Sequence, residues 1–113
     1  MNPTITFEDF SKVDIRTGTI IEVNDFPKAR KPAYQLTIDF GELEKKKSSA
    51  QITHLYTKKE LLNKQIIAIV NFKEKQIANF KSECLVLGIQ NNKKEIVLLQ
   101  ASKMSLKNGE QIS

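Results

Sequence analysis

A chain of 113 residues, 40% hydrophobic and 27% charged, has material for one folded core and not two, so residues 1–113 read as a single domain. No apolar run approaches the roughly 18 residues that cross a bilayer, and residues 1–6 carry no basic-then-apolar leader. A cytoplasmic protein without disulfides is the expectation, since Cys84 stands alone. The net charge of +5 and pI near 9.4 favour an acidic partner, nucleic acid or an anionic surface, although lysine-rich surfaces also serve plain solubility.

Thr6, with Asp9 three residues on, is placed to cap a short helix over Phe7 to Lys12. Phe7 and Phe10 would share one face of it. From Val13 to Val23 the side chains alternate over eleven residues, with Val13, Ile15, Thr17, Thr19, Ile21 and Val23 on one side. So long a strand needs a bend, and Gly18 is placed to permit one. Tyr34, Leu36, Ile38 and Phe40 alternate with Gln35, Thr37 and Asp39 in a second strand. The charged run Glu42 to Lys47 is expected as a loop before a third strand, Ser48 to Thr53, with Ala50 and Ile52 facing in. Thr57 and Glu60 form a capping box for a second helix, which Asn63 can end in a left-handed conformation. Ile66 to Val70 reads as a strand buried on both faces. Cys84 to Ile89 and Glu95 to Gln100 read as a hairpin across Asn91–Lys94, and Lys107 to Glu110 as a tight turn.

Periodicity alone supports a small β-barrel with a helix. Three strands, a helix and two strands, the first of them bent, is also the order of a five-stranded OB barrel. The expected class is therefore all-β with short helices: a five-stranded OB-fold barrel with an N-terminal helix and a C-terminal hairpin extension.

On that plan the ligand face is formed by the second and third strands, between the connection of strands one and two and that of strands four and five. The first connection, Asn24 to Ala33, holds Lys28, Arg30 and Lys31 beside Phe26. The other, Asn71 to Glu83, holds Lys73, Lys75 and Lys81 beside Phe72 and Phe80. Cations attract phosphates, and aromatic rings can stack on unpaired bases. The competing reading is that loops are lysine-rich because they are exposed, and that Phe26 and Phe80 plug the barrel. Ser49, Gln51 and Thr53 would point outward as uncharged donors and acceptors suited to sugar hydroxyls and base edges. Catalysis and metal binding find no support. Cys84 and His54 are single, Cys84 lies in an apolar strand, and Asp14, Asp39 and Glu83 are scattered acids suited to solvation or to ion pairs with Arg16 and nearby lysines. No cofactor is expected, and no enzyme.

Phe7-Glu8-Asp9-Phe10, Val13-Asp14-Ile15-Arg16-Thr17-Gly18, Ser48-Ser49-Ala50-Gln51-Ile52-Thr53 and the stretch Asn71 to Leu87 occur in an order that resembles the tRNA-binding-domain family of OB-folds. The resemblance runs from about Phe7 to Ile112. Phe26-Pro27-Lys28-Ala29-Arg30-Lys31-Pro32-Ala33 resembles its free-standing members, the CsaA-type secretion chaperones. Asn71, Lys75, Ile77 and Ser82 fit a pattern close to N-x-x-P-[RK]-x-[IM]-x-G-x-x-S of the family's binding region. Glu74 replaces its Pro and adds a negative charge beside Lys73 and Lys75. Asn79 replaces its Gly and can adopt positive φ.

The resemblance implies a non-catalytic homodimer that binds tRNA or other structured RNA. The alternative is a CsaA-type chaperone that assists protein export by holding unfolded preproteins. The RNA rim would be Lys28, Arg30, Lys31, Lys75 and Lys81, and Ser49, Gln51, Asn71 and Ser82 would converge on one polar pocket. The dimer would form through Phe7 and Phe10 with Ile96 and Leu98 of the apolar hairpin strand.

Overall fold

The computed structural model describes all residues, Met1–Ser113. Helix α1 (Phe7–Ser11) starts where Thr6 Oγ1 accepts the Asp9 amide at 3.1 Å, while the Asp9 carboxylate accepts the Thr6 amide at 3.2 Å. Strand β1 (Ile15–Asp25) then pairs with two neighbours in succession. Residues 15–19 lie against β4 (Gln65–Ile69) and residues 19–25 against β2 (Tyr34–Asp39), so one strand serves both sides of a barrel.

The bend is not at Gly18. Register slips between Ile20 and Glu22, where Ile21 bulges out of the ladder opposite β2. The apolar pattern explains it: Ile20 is fully buried and Val23 also packs on the core, three residues apart, which strict alternation forbids and one extra residue restores. Gly18 is instead a packing position, because a Cβ there would sit 2.6 Å from the Phe40 ring and 2.7 Å from Ile38. Gly18 and Ile20 therefore face the interior, while Ile15 and Thr19 lie on the other side and stay half-exposed. Thr17 on that outer side is buried because the C-terminal segment covers it. Its hydroxyl donates to the Lys107 carbonyl, its amide donates to Glu110, and its carbonyl accepts the Gly109 amide. Gly109 makes this close approach at φ 91°, in the left-handed region.

β3 (Lys45–Ala50) begins earlier than the charge pattern suggests. Lys45, Lys46 and Lys47 are strand residues opposite Asp39, Ile38 and Thr37, and only the turn at Gly41–Leu43 and Glu44 separates the two strands. A run of lysines makes a strand here because β3 borders β2 and needs only its even positions inward: Ser48 and Ala50 are buried, Lys45 and Lys47 exposed. The capping box opens α2 (Lys58–Leu61), and Asn63 follows it at φ 69°. β4 buries Ile66 and Ala68, with Val70 just beyond, but leaves Ile67 and Ile69 half-exposed, so it is buried on one face rather than two.

Asn71 to Glu83 is not an irregular loop. It folds into a hairpin of β5 (Lys75–Ile77) and β6 (Phe80–Ser82), joined by Ala78-Asn79. The left-handed residue of that turn is Ala78, at φ 51°, and not Asn79. β7 (Leu85–Val86) pairs with β4 and completes a five-stranded antiparallel sheet in the order β3-β2-β1-β4-β7. Its ends nearly close: the Glu83 amide donates to the Lys47 carbonyl at 2.7 Å, and the buried Ser48 hydroxyl donates to the Cys84 carbonyl at 3.0 Å. β8 (Gly88–Gln90) and β9 (Ile96–Leu98) form the final hairpin. The architecture is the expected OB-like barrel.

The barrel core joins Ile20, Leu36, Ile38, Phe40, Leu61 and Ile66 to six further buried residues, Leu98 among them. Leu98 is thus spent inside the protomer and cannot face a partner, and Ile96 is half-buried against the same core. The outward residue of β9 is Val97, opposite Ile89 on β8; they are 45% and 64% exposed. No helix is long and apolar enough to cross a membrane.

Candidate nucleic-acid interface

A second, smaller core lies outside the barrel. Phe26 and Ala33, from the connection of β1 and β2, are buried against Phe80 of β6, with Ala29 and Ile77 packed around them. The Phe26 and Phe80 rings sit 5.4 Å apart at a tilt of 57°. Neither ring is free to stack on a base. Their role is to hold the two basic segments together as one wall; of the three phenylalanines in these segments only Phe72, 54% exposed, remains accessible.

Beside this wall runs a groove. One end, about 490 Å³, is lined by Arg30, Lys31 and Lys75 with Ser49 and Gln51. The adjoining part, about 510 Å³, shares Ser49, Gln51, Lys75 and Ile77 with it and continues over Ile52, Leu85 and Ile96 to Gln90 and Lys94. Strand alternation explains the lining. Lys75 and Ser82 are cross-strand partners on the inner face of the β5–β6 hairpin, and Ser49 is an outward residue of β3. The Ser82 hydroxyl accepts the Ser49 amide at 3.1 Å, fixing the hairpin against the barrel.

The three salt bridges in the protein are Lys12–Asp9, Arg16–Asp14 and Lys58–Asp25. None involves Arg30, Lys31, Lys75 or Lys94, so the groove's positive charge is uncompensated. Glu74 pairs with neither Lys73 nor Lys75. Arg16 is held by Asp14 at 2.6 Å and by the Gly109 carbonyl, and it lines a separate depression with Phe40 and Asn108 rather than the groove.

Of the residues expected to act together, Arg30, Lys31, Ser49, Gln51, Lys75 and Ser82 line this continuous groove. Lys28 is exposed in the β1–β2 connection. Lys81 projects from the opposite hairpin face, beside Lys47 and Gln76. Asn71 does not reach the pocket: its amide donates to the Lys12 carbonyl at 2.7 Å and its oxygen accepts the Asp14 amide at 2.9 Å. It ties the start of β1 to the end of β4, so its place in the motif is structural. Gln90, Lys94 and Leu85 were invisible as groove residues, because a hairpin read as an extension gives no sign of walling the ligand face.

Cys84 lies in the groove floor, but burial pushes its thiol up to about 12, which keeps it protonated and unreactive at neutral pH. No three His, Cys, Asp or Glu side chains gather as metal ligands would.

Comparison with known proteins bears on this geometry. A family model described as a putative tRNA binding domain matches residues 15–111. The chain belongs to the tRNA-binding-domain family. Methionine–tRNA ligase of Pyrococcus horikoshii is 33% identical over 102 residues, 90% of this chain but 14% of that protein, and the Bacteroides fragilis enzyme is 39% identical over 88 residues, 78% of this chain and 13% of the enzyme. The chain thus spans about a seventh of these relatives' length. Among solved structures, the chaperone CsaA of Bacillus anthracis superposes with a TM-score of 0.91 at 50% identity, covering 98% of this chain and 100% of that one. CsaA of Picrophilus torridus gives 0.91 at 53% identity, covering 97% and 100%.

Proposed function

We propose that the protein is a non-catalytic RNA-binding module of the cytoplasm whose ligand is tRNA or another structured RNA, held along the groove beside the Phe26–Phe80 wall. One observation carries this reading: Arg30, Lys31 and Lys75 converge, without acidic partners, on a groove floored by uncharged Ser49 and Gln51, in a chain of the tRNA-binding-domain family. Cations without internal partners are free to displace counterions from phosphates, and uncharged hydroxyl and amide groups suit riboses and base edges.

The CsaA likeness and the apolar stretch over Ile52, Leu85 and Ile96 support a second reading, a chaperone that holds unfolded polypeptide for export. Salt separates the two. RNA held by ion release weakens steeply as salt rises, whereas apolar contact does not. Binding of bulk tRNA and of an unfolded polypeptide should be measured across a salt series, for the native protein and for Arg30→Glu with Lys75→Glu. The double variant should lose tRNA affinity at low salt and show a log–log salt slope shallower by about 1 per lost phosphate contact. Lys81→Glu, on the far hairpin face, should do much less. An unchanged slope in a folded double variant refutes the RNA reading.

We further propose a homodimer joined through the exposed apolar surface of Phe7, with Phe10 packed beside it at 6.1 Å, and of Ile89 and Val97. Two grooves on one particle would gain avidity for a large RNA. Sedimentation equilibrium at micromolar concentration should give twice 12.9 kDa; a mass of 12.9 kDa excludes the dimer.

A further inference from the structure

Cations and aliphatic side chains share the second part of the groove. Arg30 and Lys31 line the first part, Lys75 of the β5–β6 hairpin lines both, and Lys94 of the β8–β9 hairpin lines the second, whose wall also includes aliphatic Ile52, Leu85 and Ile96. Two amides border this floor, Gln51 and Gln90, and neither side chain makes a hydrogen bond within the protein; the Ser49 hydroxyl likewise donates to no protein group. Lys94 sits in the turn of the last hairpin, where its φ is 63° and its amide donates to the Asn91 carbonyl.

We propose that the apolar stretch of the groove receives one unpaired base of a single-stranded RNA segment, with the phosphate on one side of that nucleotide at Lys75 and the phosphate on the other side near Lys94. This rests on the RNA-binding reading and adds to it the form of the ligand at the groove, a splayed nucleotide and not a paired helix. The charge arrangement selects it. Every internal nucleotide carries an anion on each side of its base, which matches an apolar stretch lined by one lysine from each of two hairpins, Lys75 and Lys94. An aliphatic side chain of a polypeptide would fill the same floor but brings no obligatory anion on either flank. Bases are held between apolar side chains as well as aromatic ones once unstacked, and the unbonded amides of Gln51 and Gln90 offer donors and acceptors to the exposed base edge.

Three probes test it by fluorescence titration at low salt: a single-stranded RNA pentamer with 2-aminopurine at its centre, the same pentamer abasic at the centre, and bulk tRNA. The native protein should bind the pentamer about tenfold tighter than its abasic form, the lower range for one stacked base, with a change in 2-aminopurine emission. Leu85→Ala, which shortens the apolar stretch without adding a charge, should shrink that tenfold difference. Gln51→Ala serves the same purpose should the Leu85 variant not fold, and should also reduce the difference. Equal affinity for the base-containing and abasic pentamers, with tRNA still bound, overturns the base site and leaves RNA binding intact. Failure to bind tRNA as well overturns both. Displacement of a bound pentamer by an unfolded polypeptide in preference to RNA, with no base-dependent difference, assigns the apolar floor to polypeptide and likewise overturns the proposal.

Discussion

Phe40 and Phe80 are both buried phenylalanines, yet they answer to different surroundings. Phe40 is one of a twelve-residue core drawn from β1 to β4, α2, β9 and the segments beside them, and its ring fills the space that Gly18 leaves open on β1. Phe80 belongs to a cluster of three buried residues, two from one connection and one from a hairpin, at the rim of the barrel. The first cluster makes the fold and the second makes the groove. The groove is thereby held by far less burial than the scaffold, so it can be loosened without unfolding the protein.

Breaking the larger cluster should have the larger effect. Phe40→Ala is expected to cost about 3–5 kcal/mol, a large part of a typical domain's stability, and to remove RNA binding only as a consequence of unfolding. Denaturant melts check this, and a loss below about 1 kcal/mol would mean the barrel closes around the gap. Phe80→Ala should cost less, about 1–3 kcal/mol, because its neighbours are few and the site borders solvent. Its tRNA affinity, however, should fall more than its stability predicts. Amide exchange of residues 75–82 should quicken while that of the barrel strands stays slow. Equal acceleration in both regions would erase the distinction between the two cores.

The smallest effect is on pH. The Cys84 thiol is raised by burial above its ordinary value of 9.0, to about 12. A raised value favours the protonated thiol in the folded state, so this contribution to stability is complete below about pH 9 and falls as pH climbs toward 12. The stability difference between the native protein and Cys84→Ala should therefore be constant near neutrality and shrink across that alkaline window. A difference that stays flat to pH 12 would show that the thiol reaches water.

Much of the barrel was legible in the sequence, because local rules carry it. The two capping boxes, the alternation of Leu36, Ile38 and Phe40, and the left-handed Asn63 each follow from a few neighbouring residues. What escaped depends on contacts between distant segments. Ile20 and Val23 are both apolar at a spacing no regular strand allows, but which of them moves the register is decided by pairing with β2. Lysines 45–47 are strand residues because β2 offers an edge, which charge alone does not reveal. For the groove, Arg30, Lys31 and Lys75 could be found from loop position, Ser49 and Gln51 from strand parity, and Ser82 from the family's motif. Asn71 shared their motif yet bonds backbone at the start of β1, and Lys94 joined them only through the docking of the last hairpin.

The double pairing of β1 also sets an order of assembly. Its second half meets β2 and β3 in a meander whose partners are close in the chain, whereas its first half must wait for β4, with Ile15 opposite Ile69. Closing that long loop spends entropy before any contact repays it, and such distant pairings slow folding. The early chain should thus form a three-stranded sheet with one side unfinished, and the groove, which needs β5 through β9, should be the last part to exist. Pulsed hydrogen exchange during refolding would then protect amides of residues 35–50 before those of residues 65–69.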